Sequence, residues 1–447
     1  MFRKEYMPLA RGFDEHMGYL QGCESHYTHV ASCCGAGSPD NDTRFVCSAP
    51  AEGEGGGGVD AARGYTVRPG AEHKDFRGYD WFRSSGGESL PDPSANQSNS
   101  ATLIRDAAVD FIARQRVGRP FFLYLPFQNI HGPYTCDAAF RHPYESQPDR
   151  FTPGEMTMFG YITELDTAVG AVVHALRDHG RYETSLFVFS SDNGAPPASD
   201  DVNHRYGGSD PGYIARNHPF RGHKALIWEG GTRVPGFVSG GSPLLPAGVR
   251  GTVSHALMHI TDWLPTLTKL TAIPTPPLAL DGIDVSASLL DGTVPSPRTE
   301  MLYNVNPLCA SGQAGAGQAG APKAGIRIGD FKLLAWCFSV AGIGGGNTTG
   351  PSPAPHASPS VDPEFTRGRG LVLYNLATDP GETTNLAHDP PHAATVEKLL
   401  SRLTVLAVES VEPQQWTAPY QGPNYECASC PLHPGGTGPD QPWLPWL

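Results

Sequence analysis

A chain of 447 residues can bury a large core and has the length for two domains. Apolar residues make up 39% of it, and no apolar run approaches the ~18 residues that cross a bilayer, so it reads as globular without a membrane span. A formal net charge of −13 argues against a nucleic-acid partner, although one local cluster of cations can still receive a small anion.

In chain order, Ala101 to Gln115 is expected to form an amphipathic helix with Leu103, Ile104, Ala107, Phe111 and Ile112 on one face. Phe121 to Phe127 follows as a short apolar strand of the kind buried on both faces. Glu155 to His179 repeats the helical period with Ile162, Leu165, Val169, Val172, Val173 and Leu176 on one stripe, and Gly180 stops it. Ser185 to Ser190 is a second buried strand, Val234 to Val238 a further one, and Ile260 to Leu270 another helix. Strand, helix, strand with continuous apolar strands implies βαβ units and a mostly parallel sheet flanked by helices, an α/β class.

After about Arg298 the texture changes. Met301 to Asn304, Gly325 to Trp336 and Gly370 to Leu376 read as short strands, with a hairpin turn in Arg327-Ile-Gly-Asp-Phe-Lys332. A helix from about Ala393 to Val408 closes this smaller antiparallel α+β domain. The expected division is therefore 1–297 and 298–447. Gly/Ala/Pro/Ser-rich tracts at 50–63, 85–100, 310–325 and 341–361 read as flexible surface insertions.

Nine cysteines with one Cys-x-x-Cys pair make a four-cysteine zinc site a poor expectation. Disulfides are favoured over free thiols, because sequons for glycosylation also occur at Asn41, Asn96 and Asn347. Both signals lean towards a secretory compartment, lysosome-like or extracellular. Met1-Phe-Arg-Lys-Glu-Tyr6 has no apolar h-region, so no signal peptide is visible, and the expected resolution is that the true N-terminus lies outside this chain.

Ligands of parallel α/β sheets bind beyond the carboxyl ends of the strands, and chemistry-bearing residues stand there. Asp192-Asn193-Gly194 directly follows the strand that ends at Ser190. A carboxylate beside an amide oxygen suits a hard cation such as Ca²⁺ or Mg²⁺, while the alternative is an Asx turn closing the strand. His131 follows the strand Phe121–Phe127 and could give a proton or hydrogen bond to an ester oxygen, or be a surface histidine. Lys224 sits in the apolar-flanked run His223-Lys-Ala-Leu-Ile-Trp228, where it either snorkels to the surface or neutralises an anion. A lysine and a divalent cation at one spot would hold a sulfate or phosphate ester.

These residues lie in segments that resemble the sulfatases, most closely the arylsulfatase B (N-acetylgalactosamine-4-sulfatase) group. The matching segments are Arg11-Gly-Phe-Asp-Glu-His-Met-Gly-Tyr-Leu20, Pro120-Phe-Phe-Leu-Tyr-Leu125, His131-Gly-Pro133, Phe187-Val-Phe-Ser-Ser-Asp-Asn-Gly194, Arg221-Gly-His-Lys-Ala-Leu-Ile-Trp-Glu-Gly-Gly-Thr-Arg233, His259-Ile-Thr-Asp-Trp-Leu-Pro-Thr-Leu267, Asp281-Gly-Ile-Asp284, and Leu373-Tyr-Asn-Leu376 with Asp379-Pro380. The resemblance implies an alkaline-phosphatase-like α/β domain with a smaller C-terminal domain, and a sulfuric ester hydrolase acting on a sulfated small molecule or glycan. It implies Ca²⁺ ligands at Asp192 and Asn193, and substrate contacts from His131 and Lys224. It also implies pairing of Cys33 or Cys34 with Cys47, and of Cys309 with Cys337.

One departure stands out. The family's formylglycine nucleophile derives from Cys-x-Pro-Ser-Arg, and neither that segment nor Cys-x-Ala-x-Arg occurs in this sequence. The chain is expected to lack the attacking half of the site, with the first strand and helix of the sheet, and to be inactive as it stands. A phosphodiesterase or phosphonate hydrolase of the same superfamily, and a non-catalytic anion- or carbohydrate-binding remnant, remain alternatives.

Overall fold

A computed structural model of the chain describes residues 6–20, 25–32, 65–66, 77–116, 118–132, 135–196, 217–241, 245–275, 277–305, 322, 324–335 and 370–410. These fall into two compact units, one running to Arg181 and the other starting at Tyr182.

In the first unit β1 (Met17–Gly18), β2 (Val30–Ser32), β3 (Tyr65–Thr66), β4 (Arg77–Tyr79), β5 (Phe82–Ser85) and β6 (Glu88–Pro91) precede α1 (Ser100–Arg114), α2 (Ala138–Glu145) and α3 (Pro153–Asp178). The strands make two small antiparallel sheets, ordered β1-β5-β6 and β2-β4-β3. The tract 85–100 is not the loose insertion its composition suggested. Gly86 and Gly87, at φ 61° and 86°, form a two-residue turn that only glycine adopts cheaply, and β5 and β6 pair across it. Asn99 then caps α1 by accepting the Thr102 amide at 3.1 Å. The helix buries Ser100, Ile104, Ala108 and Ile112, one i, i+4 row, with Leu103, Ala107 and Phe111 only partly covered.

The capping box of Thr152 and Glu155 starts α3 two residues before the expected position. Its buried row is Tyr161, Glu164, Ala168, Val172 and Ala175, whereas Ile162, expected inside, is 43% exposed. The run Phe121–Phe127 has no ladder partner among the described residues. Leu125 and Phe127 pack against a core of Tyr79, Trp81, Ala95 and Ile104, while Phe122 and Tyr124 are 64% and 66% exposed. It is extended chain with one apolar edge open, not a strand buried on both faces. An apolar run cannot report which neighbours it will find.

The second unit contains β7 (Leu186–Ser190), α4 (Glu229–Thr232), β8 (Gly236–Gly240), α5 (Trp263–Leu270), α6 (Ser286–Leu290), β9 (Glu300–Asn304), β10 (Ala324–Ile328), β11 (Phe331–Ala335), β12 (Leu371–Asn375) and α7 (Ala393–Glu409). β7 pairs antiparallel with β8, so every ladder among the described residues is antiparallel, and the expected parallel pairing is not among them. The later sheet, ordered β12-β11-β10-β9, matches the expected short strands, and Gly329-Asp330 turn the β10–β11 hairpin.

Strand alternation sends residues of this sheet to opposite faces. On one face Ala324, Ile326, Leu333, Ala335 and Leu373 meet Leu399, Leu403 and Ala407, an i, i+4 row of α7. Each fully buried leucine there contributes about 1.5–3 kcal/mol. On the other face Leu334, Val372, Tyr374 and Leu376 pack against Trp228, which joins this sheet to the segment carrying Lys224.

Candidate anion and cation site

β7 delivers Ser191-Asp192-Asn193-Gly194 at its carboxyl end. The Asn193 amide donates to Asp192 Oδ1 at 2.8 Å, and Asn193 Nδ2 donates to the Gly194 carbonyl at 3.0 Å. The Asp192 carboxylate thus bonds the next amide and not the one two residues on, which goes to the Gly231 carbonyl, so the bonding differs from the Asx turn weighed as the alternative for these residues. The arrangement leaves Asp192 Oδ2 and Asn193 Oδ1 without a hydrogen-bond partner among the described residues, on an exposed and a half-buried residue respectively. Two such oxygens fit a hard divalent cation as part of its shell. Among the described residues no group of three His, Cys, Asp or Glu could complete a metal site alone.

Two main-chain bonds and one asparagine side chain lock this turn to the Lys224 segment. The Lys224 amide donates to the Ala195 carbonyl at 2.8 Å, and the Gly194 amide to the Gly231 carbonyl at 3.1 Å. Asn217 staples the two loops: its Oδ1 accepts from the Ala195 amide at 2.8 Å, and its Nδ2 reaches the Ala195 and Gly222 carbonyls at 3.1 Å. The glycines follow from this closeness. A Cβ on Gly194 would collide with the Gly230 main chain, and one on Gly230 would lie 2.5 Å from the Arg221 and Gly222 carbonyls.

Lys224 is half-buried, and its ammonium has no ion pair or hydrogen bond with the described residues. The next residue, Ala225, is held at φ 71°, a conformation costing a non-glycine residue about 1–2 kcal/mol. The structure thus brings Asp192, Asn193 and Lys224 together in one unit.

His131 belongs to the first unit. Its ring is exposed, and Nδ1 donates to the Gly132 carbonyl at 2.7 Å, which makes Nε2 the unprotonated nitrogen of the neutral ring. The turn carrying it is anchored by buried polar groups of α3. The Tyr161 hydroxyl lies 2.7 Å from His26 Nδ1 and 3.3 Å from the His131 carbonyl. Asn129 Nδ2 donates to Glu164 Oε2 at 2.9 Å, and Asn99 Nδ2 to Glu164 Oε1 at 3.1 Å. Burial raises the Glu164 carboxyl above its ordinary range. Burial also pushes the His26 imidazole down to about 3, with His131 and His29 adding to the shift.

A sulfatase family model matches residues 61–273. Arylsulfatase J of Mus musculus is 29% identical over 460 residues, covering 100% of this chain and 62% of that protein. Arylsulfatase A of Homo sapiens is 32% identical over 273 residues, covering 61% of this chain and 45% of that protein. This chain belongs to the sulfatase family. It spans 62% and 45% of the length of those two relatives. The crystal structure of Ps i-CgsB in complex with k-i-k-neocarrahexaose shares the fold, at a TM-score of 0.59 and 18% identity over 92% of this chain and 70% of that one. The fold is accordingly the alkaline-phosphatase-like α/β fold of sulfatases.

The expected disulfide cysteines Cys34, Cys47, Cys309 and Cys337, and the sequons at Asn41 and Asn347, lie outside the described residues. Asn96 is half-buried at the end of a short 3-10 turn, Pro93–Ala95. Cys136 is a free thiol that burial pushes up to about 11, a poor nucleophile. Among the described residues no helix is long and apolar enough to cross a membrane.

Three residues of the second unit escaped the sequence reading as site components: Asn217, Lys332 and Glu382. Lys332 Nζ is fully buried, 2.9 Å from both Glu229 Oε1 and Glu382 Oε1, and 4.1 Å from the Tyr303 ring centroid. The signal for it was a lysine inside the apolar strand Phe331-Lys-Leu-Leu-Ala335, which needs a buried anion. Glu229, from Trp-Glu-Gly-Gly, supplies one and is therefore structural.

Proposed function

We propose that this chain serves the hydrolysis of sulfate esters of a sugar or aryl compound, with the second unit receiving the sulfate group. The observation that carries this is the half-buried Lys224, whose ammonium has no partner among the described residues and whose main chain is bonded to the turn that carries Asp192 and Asn193. Lys224 offers a fixed positive charge to the anionic oxygens in a partly desolvated place, where such a charge is worth more than in water. Asp192 and Asn193 would hold Ca²⁺, which when bound supplies a second positive charge for the same oxygens. His131 is assigned the ester oxygen on its resemblance to the family's substrate-contacting histidine; Nδ1 bound to the Gly132 carbonyl leaves Nε2 for that proton. A sulfated glycan or small molecule reaching a lysosome-like or extracellular compartment is the substrate setting that resemblance favours.

A second reading, a binder of sulfated ligands without turnover, is favoured by the absence of Cys-x-Pro-Ser-Arg from the 447 residues. Both readings are tested by titrating the chain with inorganic sulfate in the presence of Ca²⁺, followed by an assay of 4-nitrophenyl sulfate cleavage. Lys224→Ala should raise the sulfate Kd about tenfold or more relative to Lys269→Ala, an exposed lysine on α5. Equal affinities of the two variants would remove Lys224 from the site. Cleavage above the Lys224→Ala background selects the hydrolase over the binder.

A further inference from the structure

Glu382 is fully buried and lies far along the chain from every residue of the candidate site, yet it grips the Lys224 segment at both ends. Upstream of Lys224, Arg221 Nη1 donates to the Glu382 carbonyl at 3.0 Å, and its guanidinium lies 4.3 Å from the Trp228 ring centroid. Downstream, the Glu229 amide donates to Glu382 Oε2 at 2.7 Å. The remaining oxygen, Oε1, takes Lys332 Nζ at 2.9 Å, and Lys332 holds Glu229 Oε1 at the same distance. The Tyr303 hydroxyl completes the cluster by donating to Glu229 Oε1 at 3.0 Å. A single side chain and its own carbonyl therefore close a clamp around 221–229.

The clamp is itself held in place. Asp379 accepts the Thr383 and Thr384 amides at 2.8 Å each, and the Asp379 carbonyl accepts the Glu382 amide at 3.2 Å. That turn holds Glu382 at φ 56°, a conformation a glutamate adopts only where its surroundings demand it. Inside the clamp, the 221–231 main chain folds on itself through Gly230 N to the Arg221 carbonyl at 2.7 Å and Leu226 N to the His223 carbonyl at 3.0 Å. With both ends fixed and the interior cross-linked, the main chain that carries Lys224 is held in one place.

We propose that Glu382 is a positioning residue for Lys224, setting the anion-binding geometry from the C-terminal sheet by reaching the Glu229 amide. The inference rests on the reading of Lys224 as the sulfate-facing cation. Reach and charge make different predictions for conservative variants. Glu382→Asp keeps the charge for Lys332 but withdraws the oxygen from the Glu229 amide. Glu382→Gln gives up the charge but keeps an oxygen within reach of that amide.

The test combines hydrogen exchange of the 222–232 amides with sulfate titration in wild type, both Glu382 variants and Lys224→Ala. Expected are a slowly exchanging Glu229 amide in wild type, and faster exchange across 222–232 in Glu382→Asp than in Glu382→Gln. The sulfate Kd of Glu382→Asp should be at least fivefold above that of Glu382→Gln. A Glu229 amide that exchanges freely in wild type overturns the proposal without any variant. So does a Gln variant as damaging as the Asp variant. If Lys224→Ala binds sulfate as wild type does, the functional reading falls, and the exchange data still decide whether Glu382 pins the loop.

Discussion

At the residue scale the site is made by closeness of backbone as much as by side chains. Gly194, Gly230 and Gly231 let two loops touch, so a methyl at Gly194 has nowhere to go. Gly194→Ala should destabilise the protein by about 2 kcal/mol or more, because the obstacle is main chain that cannot swing aside. Gly170→Ala, in α3 with open space around it, should be neutral or stabilising by about 0.5–1 kcal/mol. Thermal unfolding of the pair checks this, and equal midpoints would refute the packing argument. Asp192, Asn193 and Lys224 were legible because each stands where a short local pattern puts it: after a strand, or within an apolar run. Glu382 was not legible, because its partner amide lies 153 residues away and no local pattern records that distance.

At the element scale, capping and burial decide most boundaries. Thr152→Ala removes half of the box that starts α3 and should cost about 1 kcal/mol in chemical denaturation, with a matching Ser146→Ala near zero. Lys332→Met should cost about 3–5 kcal/mol, since it leaves the Glu229 and Glu382 carboxylates buried without their cation. A cost below about 1 kcal/mol would mean that Lys332 does not bind the two segments together. Helices α1, α3 and α7 and the hairpin β10–β11 were readable, since period and turn chemistry are local. The pairing partners of Phe121–Phe127 and of β7 were not, because an apolar strand states only that it wants cover. The i, i+4 row of α3 was displaced towards Glu164 and Tyr161 for a related reason. A buried glutamate bonded by Asn99, Asn129 and the Asp137 amide behaves as core, which a polarity pattern scores as surface.

At the scale of the whole molecule, buried histidines of the first unit and a buried glutamate of the second should respond to pH in opposite directions. In the first, burial holds His16 and His29 at about 4 and His26 at about 3, against an ordinary 6.5. Their contribution is fully present above pH 6.5 and is lost as pH falls towards about 4, because the unfolded chain takes up those protons first. In the second unit, burial raises Glu382 from 4.5 to about 7, against the pull of Lys332. Its contribution is fully present below pH 4.5 and is lost as pH rises through about 7. Native-state hydrogen exchange between pH 7.5 and pH 4.5 should therefore show β10 and β11 of wild type gaining stability relative to those of Glu382→Gln, and α1 and α3 of wild type losing stability relative to those of His26→Gln. Variants that track wild type across this range would contradict the burial of these groups. The central claim, that Lys224 and the Asp192–Asn193 oxygens act on one anion, is tested most directly by a double-mutant cycle. The sulfate Kd is measured with Ca²⁺ for wild type, Lys224→Ala, Asp192→Ala and the double variant. A shared site predicts that the two substitutions are coupled by about 1 kcal/mol or more, so that the second costs much less once the first is made. Additive effects, each variant weakening sulfate independently, would show that the lysine and the cation ligands serve different places.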